Sequence, residues 1–274
     1  MRTALLDGIG ADDVAWLAGL LRGRSGVGLA GPAQAEERLA PLLWRRHVSG
    51  FRALMALLRE EPDGLLAVEA LDRLANAGNW FFRDAHPFQL LRTQVLPALV
   101  HAAQGRPLRC WAACCGAGQE AYSLALCIRH YVPLLQHSIP EIWGTDPSEC
   151  ALSRARAAVY DRDEMSHGLP LALVVRYFEL QGIRWQIKDE IRGLVRFQTL
   201  ALVEPWSGLP DMDLILLRNA LAGLDHSERD GLLRRAQAQL APGGWLVLEP
   251  HEDAGPTPGL RKVDTPYGAA WQSI

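Results

Sequence analysis

The segment Trp111-Ala-Ala-Cys-Cys-Gly-Ala-Gly-Gln-Glu-Ala-Tyr-Ser-Leu-Ala125 narrows the possible folds more than any other part of this chain. Up to Ala113 it reads as a buried strand, with Leu108, Cys110 and Ala112 alternating inward. A turn of small residues follows, and then a helix begins. That order brings backbone close to a ligand and aims helix N–H groups at it. One strand later, Ile142-Trp-Gly-Thr-Asp146 ends in an acid. A glycine turn with a carboxylate on the neighbouring strand suits a nucleoside, with backbone beneath it and the carboxylate on the ribose hydroxyls. The chain therefore reads as an α/β nucleoside-binding protein.

The chain of 274 residues has room for one large domain or two modest ones. Hydrophobic residues make up 49% and charged residues 22%, the balance of a soluble globular protein. No apolar run reaches the roughly 20 residues that cross a bilayer. The opening MRTALLDGIGADDVAWL lacks the charged-then-apolar plan of a signal peptide, so no membrane insertion and a cytoplasmic location are expected. A net charge of −3 argues against nucleic acid as partner. Five cysteines with no CxxC pair fit reduced thiols rather than a disulfide framework or a zinc site.

Residues 12–75 carry helical spacing throughout: Val14, Leu17, Leu20 and Leu21, then Leu39, Leu42 and Leu43, then Phe51, Leu54, Leu57 and Leu58. Breaks at 24–28, 48–50 and 62–64 divide them into about four short helices, and Asn76-Ala-Gly-Asn79 is a linker. From Trp80 strands and helices alternate. A helix is expected near 86–103, a strand at 107–113, a helix at 119–131, a strand at 141–145 and a helix at 148–158. Short alternating runs at Val174–Phe178, Ile183–Ile187 and Val195–Gln198 suggest a small antiparallel insert over 171–200. The α/β rhythm resumes with a strand at 213–217, a helix from Ser227 to Leu240 capped by Ser227 or Asp225, and a strand at 245–248. The expected division is an all-helical domain at 1–78 and an α/β domain at 79–274.

Six short motifs then occur in order: Asn79-Trp-Phe-Phe-Arg-Asp84, Trp111 through Ala125, Gly144-Thr-Asp146, Arg156-Ala-Ala-Val-Tyr160, Leu217-Arg-Asn-Ala-Leu221 and Leu240-Ala-Pro-Gly-Gly244. Together they resemble the CheR-type chemotaxis receptor methyltransferases, across nearly the whole chain. The resemblance implies a class I S-adenosylmethionine-dependent methyltransferase domain, Rossmann-like, with a small antiparallel insert and a helical bundle before it. It implies methyl transfer from S-adenosylmethionine to glutamates of a chemoreceptor's cytoplasmic helical region, with S-adenosylhomocysteine as product. By the same resemblance Arg83 lies beside the cofactor's methionine end and the transfer region, Glu120 approaches its charged amino-acid portion, and Asp146 accepts from the ribose. Arg218 and Asn219 end a strand at the sheet's carboxyl edge, and Arg83 or Arg218 steers the incoming anion.

The chain also departs from the family pattern. Asn79 stands where a threonine is usual, Ala201-Leu202 replace an Asn-Leu pair on the adenine side, Gly223 replaces a tyrosine near the reaction centre, and Gln119 replaces an acid. Two lost side-chain bonds of about 1–2 kcal/mol each weaken cofactor binding by tens-fold without abolishing it. The alternative reading is therefore a degenerate member that binds cofactor or partner without efficient turnover. Arg38, Arg45, Arg46 and Arg52 form a basic patch that is either a docking face or merely solvated, balanced by Glu36, Glu37 and Glu60. Glu249-Pro-His-Glu252 follows a strand and is read against metal binding, and Cys114-Cys115 as small filler in a tight turn.

Overall fold

Two units divide the chain in the computed structural model, Met1–Ala77 and Gly78–Ile274. The described residues are 8–25, 29, 31–76, 80–132, 139–166, 168–218, 220–221 and 224–274. The expectations for Asn79, Asn219 and Gly223 fall outside them. In the first unit four helices are described: α1 (Ala11–Ser25), α2 (Pro32–Arg46), α3 (Phe51–Glu60) and α4 (Leu65–Asn76). Leu17, Leu39, Leu42, Leu54, Leu58 and Leu74 meet in one core, because apolar residues three and four apart share a helix face. The basic patch of this unit is largely tied up. Both Arg45 and Arg46 pair with Glu69, the latter at 2.6 Å, and Arg38 donates to the Leu74 carbonyl at 2.5 Å.

The second unit opens with α5 (Ala85–Leu90), a π-helical turn at Leu91–Val95, and α6 (Leu96–Ala103). The single helix expected near 86–103 thus carries a widened turn just before Pro97, a residue with no N–H to donate. Strands and helices then follow in order: β1 (Arg109–Ala113), α7 (Gln119–Tyr131), β2 (Glu141–Asp146), α8 (Glu149–Ala157), β3 (Val159–Tyr160), α9 (Arg162–Met165), α10 (Leu171–Tyr177), β4 (Phe178–Gln181), β5 (Arg184–Ile187), α11 (Asp189–Arg192), β6 (Val195–Thr199), β7 (Met212–Leu216), α12 (His226–Gln239), β8 (Leu240–Val247), β9 (Leu260–Thr265) and β10 (Gly268–Ser273). A capping box at Asp225 and Glu228 starts α12, so Asp225 rather than Ser227 is the cap.

Seven strands form one sheet in the order β6-β2-β1-β7-β8-β10-β9. β6 through β8 are parallel, and β10 and β9 close the edge antiparallel. The central strands are buried on both faces, which corrects the expected one-sided alternation of β1. Cys110 and Ala112 face one core with Ile142, Leu214 and α7, while Trp111 and Ala113 face another with Ile215, Leu246 and α12. A parallel sheet covered by helices on both sides requires this. Strand order reverses between β1 and β7, and open α/β sheets bind ligands at the carboxyl ends flanking such a point.

The insert differs from expectation in its membership. Its three-stranded antiparallel sheet has the order β3-β5-β4, so it recruits Val159–Tyr160 from before residue 171. Residues Leu171–Tyr177 are helix, and Val195–Thr199 is not insert but the parallel edge strand beside β2. Among the described residues no helix is long and apolar enough to cross a membrane.

Candidate functional site

The turn after β1 is built to lie flat. Cys114, Gly116 and Gly118 all have positive φ, at 53°, 53° and 92°, and the Cys115 N–H donates to the Thr145 carbonyl at 2.9 Å, tying the turn to β2. A side chain at Gly118 is barred twice, by its left-handed backbone and by Ala155 Cβ, which a Cβ there would meet at 2.9 Å. Helix α7 starts at once, with Glu120 in its first turn.

Asp146, the last residue of β2, is the hinge of the arrangement. Its two carboxylate oxygens accept N–H bonds from Gly116 and Ser148, each at 2.9 Å, and the residue is buried. A carboxylate offers about four acceptor positions, so a group that pins the turn can also accept from a vicinal diol. Ala201 and Leu202 lie on the same edge, immediately after Leu200, whose N–H donates to the Asp146 carbonyl at 3.2 Å. Cys114 and Cys115 are small partners in this turn. Burial first, and then the Asp146 charge, push both thiols upward, so neither is a thiolate near neutrality.

The second half of the site surrounds Arg218, two residues past β7. Its guanidinium donates to Glu120 at 2.8 Å, Asp84 at 3.0 Å and Glu249 at 3.2 Å. The Arg218 side chain is 1% exposed, Glu249 3%, Glu120 18% and Asp84 45%, so the cluster opens to solvent on the Asp84 side. Arg83 stands there, 3.4 Å from Asp84, with its guanidinium over the Trp80 ring. The expectation that Arg218 steers an incoming anion is corrected, because its guanidinium is sealed among carboxylates. Arg83 and Glu120 do not pair with each other: Arg83 meets Asp84, and Glu120 meets Arg218.

These ionisations are interlocked. Burial raises the Glu120 carboxyl, and Arg218 opposes that only in part. Burial and a hydrogen bond shared with Asp84 push Glu249 up to about 7, against the pull of Arg218. Burial also acts on Asp84, but Glu249, Arg218 and Arg83 outweigh it and hold that carboxyl down. Burial would lower the Arg218 guanidinium, yet Glu120, Glu249 and Asp84 hold it above its ordinary value.

Two aromatic hydroxyls brace the site from behind. Tyr160 in the insert donates to the Ala117 carbonyl at 2.8 Å, and Tyr122 donates to the Ala155 carbonyl at 2.9 Å. Phe81 packs edge-on against Tyr160 and Phe178 and forms a wall. The Phe82 N–H donates to Ser123 at 2.8 Å, which fixes the Phe81–Asp84 loop to α7.

The structure thus brings Arg83, Glu120, Asp146, Ala201, Leu202 and Arg218 to one edge of the sheet. Sequence reasoning gave no role to Asp84, Tyr160 or Glu249. Glu249 carried a signal all the same, an acid directly after the apolar strand run Trp245–Leu248 at the ligand-binding end. Glu252 turns inward to accept the Leu221 and Glu249 N–H groups, each at 3.1 Å.

The residues fit a nucleoside that carries a positive charge: a carboxylate braced by the glycine turn lies on one side, and an excess of carboxylates over guanidinium on the other. Residues 79–258 match the family model described as "CheR methyltransferase, SAM binding domain". The chain is 32% identical over 216 residues to "Chemotaxis protein methyltransferase 1" of Pseudomonas aeruginosa, covering 77% of this chain and 78% of that protein. It is 34% identical over 217 residues to the protein of the same name from Vibrio cholerae, covering 77% of each.

Proposed function

The chain belongs to the CheR methyltransferase family, with S-adenosylmethionine as cofactor, and we propose that it methylates glutamate side chains in the cytoplasmic helical region of a chemoreceptor. The products are glutamate methyl esters and S-adenosylhomocysteine. The cofactor supplies a methyl group on a cationic sulfur, an electrophile that a carboxylate takes directly. An acceptor glutamate, with a reference pKa near 4.3, is ionised at neutral pH and needs no general base. The protein's work is then to align donor and acceptor and exclude water, effects that supply about 7–11 kcal/mol.

In this reading Asp146 receives the ribose hydroxyls, Glu120 meets the amino group of the methionine portion, and Ala201 and Leu202 line the adenine side. Arg83, at the solvent-facing mouth, contacts the methionine end and the acceptor carboxylate. Arg218 acts through Glu120, holding it in place at 2.8 Å. Asn79 and Asn219 are assigned by resemblance alone. The reading rests above all on the Gly116–Asp146 hydrogen bond at 2.9 Å, which joins turn and acid into one cradle.

Tritiated methyl transfer from S-adenosylmethionine to a chemoreceptor's cytoplasmic fragment tests the proposal. Label on the receptor that mild base releases as methanol is the expected result. Cofactor binding with no base-labile label would favour the non-catalytic alternative that Ala201 and Gly223 motivate.

A further inference from the structure

Around Arg218 the charges do not balance. Glu120, Asp84 and Glu249 all bond its guanidinium, at 2.8, 3.0 and 3.2 Å, and two of the four side chains are sealed at 1% and 3% exposure. Arg83, 3.4 Å from Asp84, is the other cation at the cluster. Also facing the cluster among the described residues are Glu252, whose carboxylate accepts the Glu249 N–H at 3.1 Å, His251, whose charge acts on Asp84, and the Cys114 and Cys115 thiols near Glu120. Three carboxylates against Arg218, with Arg83 only at the solvent-facing Asp84, leave an excess of negative charge that the sealed Arg218–Glu249 end does not hold cheaply. Binding a proton removes it, and the place for one is between Asp84 and Glu249. Both carboxylates lie on the same Arg218 nitrogen, and the other Glu249 oxygen, itself buried, has no hydrogen-bond donor among the described residues.

We propose that Asp84 and Glu249 hold one shared proton as a counter-charge, and that this proton leaves to solvent when the cationic cofactor seats against Glu120. The proposal rests on the cofactor reading above. It makes Glu249 and Asp84 positioning residues, which act through Arg218 and Glu120 rather than on the reacting atoms. The sulfonium and ammonium charges replace the proton as the partner of the excess carboxylate. The bond that breaks is the O–H between Asp84 and Glu249, and buffer accepts the proton. Glu249, pushed up to about 7, exchanges it in the neutral range. A positive charge nearby lowers that value, so the deprotonated pair binds cofactor more tightly and affinity rises with pH through neutrality.

Calorimetric titration of the whole protein with S-adenosylmethionine at pH 7, in two buffers of different ionisation enthalpy, counts the protons exchanged. The cofactor's own α-amino group titrates nearby, so the readout is wild type minus Glu249→Gln. A one-unit drop in the pair releases about 0.4 proton more from wild type than from the variant, and adds up to about tenfold in affinity between acid and alkaline limits. The variant should still bind. Asp84→Asn, a change on a half-exposed side chain, should give the same loss and serves if Glu249→Gln does not fold. Equal proton counts in wild type and variants would overturn the proposal. No binding heat in wild type would overturn instead the cofactor reading beneath it.

Discussion

Asp146 carries two duties at the residue scale: it accepts the Gly116 N–H that shapes the turn, and it faces the ligand edge of the sheet. Replacing it removes hydrogen bonds to a charged acceptor, worth about 1.5–3 kcal/mol. Asp146→Ala should therefore weaken S-adenosylhomocysteine binding by about 10- to 100-fold, and an unchanged Kd by calorimetry would sink the ribose assignment. Gln119 shows how a departure from the family pattern is absorbed. Its amide donates to Glu164 at 3.0 Å, where a second acid would meet like charge. Asp146 and Glu120 were legible in the chain because each sits beside a glycine turn or strand end that the sequence marks. Glu249 carried the same strand-end signal, but its meeting with Asp84 did not show, because their shared partner Arg218 lies 134 residues from Asp84 and 31 from Glu249, and no local pattern encodes such a meeting.

At the scale of elements, the insert is what steadies the cradle. Tyr160 in β3 reaches the Ala117 carbonyl at 2.8 Å, so a strand of the small sheet holds the loop of the large one. Tyr160→Phe leaves that buried carbonyl without its donor. It should cost about 1–3 kcal/mol in denaturant unfolding and weaken cofactor binding as well. Full stability with full affinity would show that the turn needs no such brace. The insert was the part of the fold that the sequence showed least clearly. Val174–Phe178 and Val195–Gln198 read alike as short apolar runs, yet the first is mostly helix and the second a parallel edge strand. Runs this short carry too few residues to separate a period of 3.6 from one of 2, and pairing is decided by distant partners. Longer elements, α7 and the four N-terminal helices among them, emerged near their expected places because their periodicity extends over several turns.

At the scale of the molecule, each unit has a hydrophobic core of its own, the first around Leu39, Leu54 and Leu74, the second on both faces of the sheet. Every residue placed in the cofactor site lies at 79 or beyond. Residues 78–274 alone should fold and bind S-adenosylhomocysteine with affinity within a few-fold of the whole chain. Failure to fold would mean that the helical unit is part of the cofactor domain's stability.

The most direct test is a crystal structure of the protein bound to S-adenosylhomocysteine. The account predicts adenosine across the carboxyl ends of β1 and β2, ribose hydroxyls on Asp146, the amino group at Glu120, and Arg218 still held by Glu249. A nucleoside bound elsewhere, or a ribose that leaves Asp146 untouched, would contradict it.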